Sequence, residues 1–196
     1  MQGWLGFLVT GLALCASPGP APLSLAALGA AFGIGPSRAY FVVNVGIVIV
    51  IGLTASGIAG LLRALPGSEP VIATAAGLYF LYLAWRIWTA PPGTDPAPAS
   101  QSPRFLAGLG LSLVNPKAYA AMAALISGFE LVAGSLGLDL AVKSGAAFAI
   151  VVAANTAWLL LGAGLTRLYR DATAARRLNR LFALLLMASV LFLVIR

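Results

Sequence analysis

Long apolar segments alternate with short polar ones along most of this chain, a pattern typical of transmembrane helices. A helix needs about 20 apolar residues, with a range of about 17–25, to cross the hydrocarbon core of a bilayer. Six segments meet this requirement: Gly3–Phe32, Ala39–Leu62, Val71–Trp88, Phe105–Phe129, Leu140–Leu165 and Leu178–Ile195. The pattern therefore predicts an all-α integral membrane protein with six transmembrane helices and lipid as its surroundings.

A polar, proline-rich stretch at residues 91–103 separates the third segment from the fourth. Its scattered prolines exclude a helix, and its polar residues favour an extended, solvated linker. It divides the chain into residues 1–90 and 104–196, each with three predicted spans. Because three spans cross the membrane an odd number of times, we expect the second unit to be an inverted copy of the first.

Proline interrupts the first and fourth spans near the predicted membrane midplane, at the runs SPGP (17–20) and NPK (115–117). An interior proline removes a backbone donor, and lipid offers no replacement partner, so such breaks persist only against protein or a wet cavity. Pro18 and Pro116 are 98 positions apart, half of the 196 residues, which favours matching positions in two copies. Paired interrupted spans of this kind indicate a transporter site.

Each break is predicted to begin a new helix and to attract anions. Ser17 and Asn115 are suitable N-caps, with Pro18 and Pro116 as first helical residues. A helix N-terminus carries a partial positive charge and free N–H groups. Lys117 adds a full charge that costs at least about 2.5–3.5 kcal/mol at mid-membrane. The site residues predicted at the breaks are Ser17, Pro18, Gly19, Pro20, Asn115, Pro116 and Lys117.

We expect the partner of Lys117 to be a carboxylate on a small substrate, because every acidic residue falls in a loop or at a span end. Asn44 in the second span and Asn155 in the fifth complete the predicted substrate-binding set as hydrogen-bonding groups. Bonding between helices is an equal alternative for these two asparagines. Gly29-x-x-x-Gly33 and Ser56-x-x-x-Gly60 allow close helix approach, including a homodimer contact.

Composition narrows the classes of function. Hydrophobic residues make up 61% of the chain and charged residues 9%, against about 25% charged in soluble domains. With no histidine and one cysteine, Cys15, the chain has no Cys/His metal site and no His-based catalytic triad, so we expect neither an enzyme nor a bound cofactor or metal. The net charge is +7. Because the basic residues lie between the apolar segments, this charge does not predict nucleic-acid binding.

The distribution of Lys and Arg predicts orientation. One side of the membrane holds Arg38, Arg86, Arg104, Arg167, Arg170, Arg176, Arg177 and Arg180, and the other holds Arg63, Lys143 and Arg196. The first side is predicted to be cytoplasmic, which places both termini outside. A cytoplasmic (inner) membrane location follows from this orientation together with the resemblance below.

The motifs resemble those of the LysE/RhtB family of amino-acid exporters over nearly the whole chain. They are Ser17-Pro18-Gly19-Pro20-Ala21, the aromatic-rich segment from Gly77 to Arg86, and Asn115-Pro116-Lys117-Ala118. The resemblance implies a six-helix bundle that exports amino acids or related metabolites on a proton or ion gradient. It also implies that Pro18, Gly19, Pro20, Asn115, Pro116 and Lys117 matter to transport.

One departure bears on the substrate. Many members of that family carry a Gly-Asp pair in the second span, where this chain has Val50-Ile51 and no carboxylate. This argues against lysine or arginine as substrate and favours a neutral amino acid or a plain carboxylate. A channel for ions or small solutes, and an exporter of a solute other than an amino acid, remain alternatives.

Overall fold

The described part of the chain is helical throughout, apart from its turns and breaks. A computed structural model describes residues 2–37, 43–57, 65–67, 71, 74, 77–78, 81–82, 84–85, 87–89, 105–165 and 171–194. The helices are α1 (Gln2–Ala16), α2 (Pro20–Phe32), the short α3 (Ile34–Ser37), α4 (Val43–Ala55), α5 (Phe105–Val114), α6 (Pro116–Gly128), α7 (Leu136–Gly164) and α8 (Ala172–Val194). The all-helical class predicted from the sequence is confirmed for these residues.

The two predicted helix breaks are both present. The α1 and α2 axes meet at 58°, and the α5 and α6 axes at 61°. Within the described residues, α7 alone is long and apolar enough to cross a membrane. The pair α1 and α2 and the pair α5 and α6 are also long and apolar enough, if each bent pair is counted as one span. The number of six spans, the inverted repeat and the division at 91–103 remain predictions, because the linker and most of 71–88 lie outside the described residues.

Several helix bounds differ from the predicted spans. Helix α7 begins at Leu136 rather than Leu140, and α8 begins at Ala172 rather than Leu178. Polar N-caps explain the earlier starts: the Ser135 hydroxyl accepts from the Leu138 N–H at 3.4 Å, and the Asp171 carboxylate accepts from the Ala174 N–H at 2.7 Å. The apolar pattern alone does not register a helix that continues into a polar segment.

Helices α2 and α7 pack with their backbones in direct contact, and this contact forms the centre of the described bundle. A Cβ atom on Gly162 of α7 would collide with the Ala26 backbone, and one on Gly29 of α2 would collide with the Leu159 carbonyl oxygen. Small residues at such crossings let dispersion forces act over the whole contact. Gly29 therefore contributes to a helix contact within the chain, while a Cβ on Gly33 would meet nothing within 4 Å.

Lys143 is buried within a helix and does not lie in a loop. It was expected at a loop, but it lies in the second turn of α7 and is 4% exposed. Its Nζ forms an ion pair with Asp139 at 2.6 Å and donates to the carbonyl oxygens of Ile126 (2.6 Å) and Phe129 (2.9 Å). Without Lys143, the predicted outer side has two basic residues, Arg63 and Arg196, against eight on the predicted cytoplasmic side. The predicted orientation therefore does not change.

Asp139 joins this network to the connection between α6 and α7. Its Oδ1 atom accepts from the backbone N–H groups of Leu131 (2.6 Å) and Val132 (2.9 Å), and its other oxygen holds Lys143. Three acceptors surround the Lys143 ammonium, so its three N–H groups are all bonded. A buried ion pair is tolerated when both partners are satisfied in this way.

We predict that Gly162→Ala destabilises the fold by about 1–3 kcal/mol, because the added methyl group forces α2 and α7 apart. Gly145→Ala is the matched control, since its Cβ would meet nothing within 4 Å. That control should be neutral or stabilising by up to about 1 kcal/mol. Thermal unfolding of purified protein in detergent measures both, and equal behaviour of the two variants would contradict the packing.

We predict that Asp139→Asn lowers the melting temperature of the protein, because it leaves the Lys143 ammonium without a counter-charge. The asparagine oxygen can still accept from Leu131 and Val132, so the change isolates the charge. The double variant Asp139→Asn/Lys143→Met should recover part of the loss. Thermal unfolding is again the measurement, and a double variant no more stable than the single would argue against the pair.

Candidate functional site

The break between α1 and α2 leaves backbone carbonyl groups that other parts of the chain bind. The Ser17 hydroxyl donates to the Leu14 carbonyl oxygen at 2.9 Å. The Trp158 indole N–H, from α7, donates to the Ala16 oxygen at 3.0 Å. Carbonyls at a helix C-terminus lack partners within the helix, and inside a membrane the protein must supply them. Side chains distant in sequence therefore stabilise this break.

Lys117 supplies the remaining contacts. Its Nζ atom donates to the carbonyl oxygens of Ser17 (2.6 Å) and Pro18 (3.2 Å), which follow the end of α1. The C-terminal end of a helix carries partial negative charge, so an ammonium group is stabilised there. Lys117 therefore links the two breaks directly.

Gly19 allows this close approach. A Cβ atom at Gly19 would lie 2.8 Å from Lys117 Nζ and 2.9 Å from its Cδ atom. The Gly19 backbone is extended, with φ −177°, so the requirement for glycine is one of space and not of backbone conformation. Any larger residue at position 19 would displace the Lys117 side chain.

The prediction that Ser17 caps α2 and that Pro18 is its first residue is wrong. Helix α2 begins at Pro20 with Gly19 as its N-cap, and the Ser17 hydroxyl bonds backwards to α1. A residue before proline is driven out of the α-helical region, so Pro20 keeps Gly19 extended and delays the helix start. The prediction held at the other break, where Asn115 Oδ1 accepts from the Lys117 N–H at 3.2 Å and Pro116 begins α6.

The N-termini of α2 and α6, which begin at the two breaks, offer fewer free N–H groups than predicted from the sequence. Two of the first three residues of α2, Pro20 and Pro22, are prolines without an N–H. In α6, the N–H groups of Lys117 and Ala118 already bond to the side chain and the backbone of Asn115. The attraction for an anion at this junction therefore comes mainly from the Lys117 ammonium.

Asn44 and Asn155 also meet, as a buried pair between α4 and α7. Asn155 Nδ2 donates to Asn44 Oδ1 at 2.6 Å, and each residue is at most 5% exposed. Within the described residues, Asn44 Nδ2 has no acceptor. Asn44 and Asn155, which were both predicted to bind substrate, therefore lie together and bond to each other.

A cavity of about 50 Å³ lies between these groups, with space for a few water molecules. Its polar lining consists of Ser112, Asn115, Lys117 and Asn155. The rest of its wall is apolar or weakly polar and includes Leu14, Cys15, Ile47, Met122 and Val151. Six helices contribute to this wall, and three of the predicted site residues, Asn115, Lys117 and Asn155, lie in it.

Sequence reasoning missed Trp158. Its indole N–H holds the end of α1 from the last two turns of α7. No local pattern marks this contact, because Ala16 lies 142 positions away in the sequence.

Comparison with known proteins gives one match. Residues 12–196 match the family model described as LysE type translocator. No curated protein and no solved structure matches the chain. The matched region includes both breaks, Lys117 and the Asn44–Asn155 pair.

We predict that Trp158→Phe lowers the free energy of unfolding by about 0.5–1.5 kcal/mol, because it removes the hydrogen bond to the Ala16 carbonyl oxygen. Trp85→Phe is the matched control, since Trp85 is 60% exposed and should change stability by no more than about 0.5 kcal/mol. Thermal unfolding in detergent measures both variants. A loss of the same size at Trp85 would show that the indole N–H of Trp158 has no special role.

Proposed function

The chain belongs to the LysE type translocator family, which comprises membrane transporters and not enzymes, and from this we propose that it exports amino acids or related small carboxylates. The observation that carries the proposal is the half-buried Lys117 ammonium beside the cavity. None of the acidic residues that the structure describes forms an ion pair with it. A substrate carboxylate is the counter-charge that this position lacks.

The second membrane-embedded lysine supports this interpretation. Lys143 is buried with its own carboxylate, Asp139, and is fully bonded. Ionisable residues inside a membrane pair with one another or mark a substrate pathway. The chain thus provides a counter-ion for the lysine that holds α6 to α7 and none, among the described residues, for the lysine at the cavity.

Lys117 has donor capacity to spare for a ligand. An ammonium group has three N–H donors, and two of them contact the Ser17 and Pro18 carbonyl oxygens. The third can donate to a carboxylate in the cavity, in a charge-assisted bond stronger than the neutral ones around it. Because the cavity now holds only about 50 Å³, it must widen as the substrate enters.

The two breaks supply the means of opening. Each divides a span into half-helices that meet near 60°, and the ammonium of one half of the chain holds the carbonyls of the other. Competition by the substrate for Lys117 weakens this link, which allows the halves to rock about the site and expose it alternately to each side. We propose the cytoplasmic membrane as the location, both termini outside, and an ion gradient as the driving force.

We predict that Lys117→Met reduces export by at least about tenfold, since a hydrogen bond to a charged group contributes about 1.5–3 kcal/mol. Bacteria that express the protein are loaded with a mixture of dipeptides, and the amino acids that leave the cells are measured. Gly19→Ala, which displaces the Lys117 side chain, should reduce export of the same amino acids.

Arg177→Met is the matched control, because it removes a positive charge from an exposed position of α8. It should export at the unmodified rate when membrane levels are equal. Unchanged efflux of every amino acid in the mixture, compared with cells lacking the protein, would refute amino-acid export. Normal efflux by Lys117→Met would refute the assignment of the site.

A further inference from the structure

The hydrogen bonding of the Asn44–Asn155 pair is unfavourable in a way that its packing does not explain. The Asn155 nitrogen donates to the Asn44 oxygen, and the Asn44 nitrogen, in a residue 4% exposed, is left without an acceptor in the described part of the chain. A buried unpaired donor costs about 1–3 kcal/mol. Such a group in a native structure calls for a functional explanation.

The reverse orientation of both amides would keep one hydrogen bond between them. It would leave the Asn44 oxygen unpaired in place of its nitrogen, and an under-satisfied buried carbonyl is the commoner case in proteins. It would also turn the Asn155 nitrogen away from Asn44. The observed orientation leaves the Asn155 oxygen as the group that this residue brings to the cavity it lines. The pair therefore presents a hydrogen-bond acceptor.

The other polar groups of the cavity wall are already engaged. Asn115 accepts from the Lys117 N–H, Lys117 holds two carbonyl oxygens, and Ser112 has a partner of its own. No carboxylate is present in the wall. Among the polar side chains of the wall, the Asn155 oxygen is an acceptor for which the described residues provide no donor.

Asn155 is also close to the Lys117 junction. It lies three residues, or just under one helical turn, before Trp158 in α7. Trp158 bonds to the carbonyl oxygen of Ala16, and Lys117 bonds to that of the next residue, Ser17. An ammonium group and a hydrogen-bond acceptor in the wall of one cavity match the carboxylate and the ammonium group of a zwitterion.

We propose that the Asn44–Asn155 pair is the subsite for the ammonium group of the substrate, with Asn155 Oδ1 as its acceptor and Asn44 holding the amide in place. This inference rests on the proposed function and narrows it to 2-amino acids, in preference to the same carboxylates without an amino group. The apolar wall formed by Leu14, Ile47, Met122 and Val151 then receives an uncharged side chain.

Binding can be measured without transport, because Cys15 lines the cavity and is the single cysteine of the chain. A ligand in the cavity should slow the reaction of Cys15 with N-ethylmaleimide in purified full-length protein. The probes are alanine, leucine, methionine and phenylalanine, each paired with the carboxylate that lacks its amino group. Detergent solution avoids the passive membrane permeation of these carboxylic acids.

At least one amino acid should protect Cys15 about tenfold more effectively than its paired carboxylate. The double variant Asn44→Leu/Asn155→Leu replaces both polar groups by apolar ones of similar size, which can be nearly neutral for stability. In this variant, protection of Cys15 by the amino acid should be about equal to protection by its paired carboxylate, and the carboxylates should still protect Cys15. Asn155→Asp, which keeps an acceptor oxygen, should retain the preference for the amino acid.

The remaining outcomes separate the two proposals. Equal protection by amino acids and carboxylates in the unmodified protein, with loss of both in Lys117→Met, would overturn the ammonium subsite and leave the carboxylate site standing. A preference that persists in the double variant would overturn the subsite as well. Protection by neither class would refute the Lys117 site, and this inference with it.

Discussion

The bond between the Lys117 ammonium and the carbonyl oxygens of Ser17 and Pro18 is the interaction on which this arrangement depends. A helix that breaks inside a membrane exposes polar backbone groups for which lipid has no partners. Here the partners come from the other half of the chain, through Lys117 and Trp158. The break in α1 is therefore stable only while α6 and α7 pack against it, which couples the two halves at the proposed site.

Two lysines of the helical bundle differ in how their charges are satisfied. Lys143 has a carboxylate one turn away and two further acceptors, so its charge is neutralised within the protein. Lys117 has carbonyl oxygens but, in the described residues, no carboxylate. An incompletely neutralised cation beside a cavity attracts an anion, and a lysine exporter would bring the wrong charge to this position. The charge of Lys117, and not the family match, is the basis of the proposed neutral or anionic substrate.

Two asparagines illustrate how far sequence reasoning extends. Asn44 and Asn155 were both predicted to bind substrate, with a bond between helices as an equal alternative. The structure shows the bond, and within the described residues it also shows an unpaired Asn44 nitrogen and a cavity along Asn155. The bond between the helices is therefore established, and contact of this pair with a substrate stays a proposal.

The sequence by itself determined the helical membrane class, the two breaks and the N-cap at Asn115, because hydropathy, proline and capping act on neighbouring residues. The start of α2 at Pro20 was also encoded locally, in the effect of that proline on Gly19, although the analysis placed it two residues earlier. Only the tertiary structure decided which groups satisfy the broken α1, which carbonyl oxygens surround the buried Lys143, and that Gly29 and Gly162 serve contacts within the chain. These outcomes depend on which helices become neighbours, and residues distant in sequence carry no local signal of their contact.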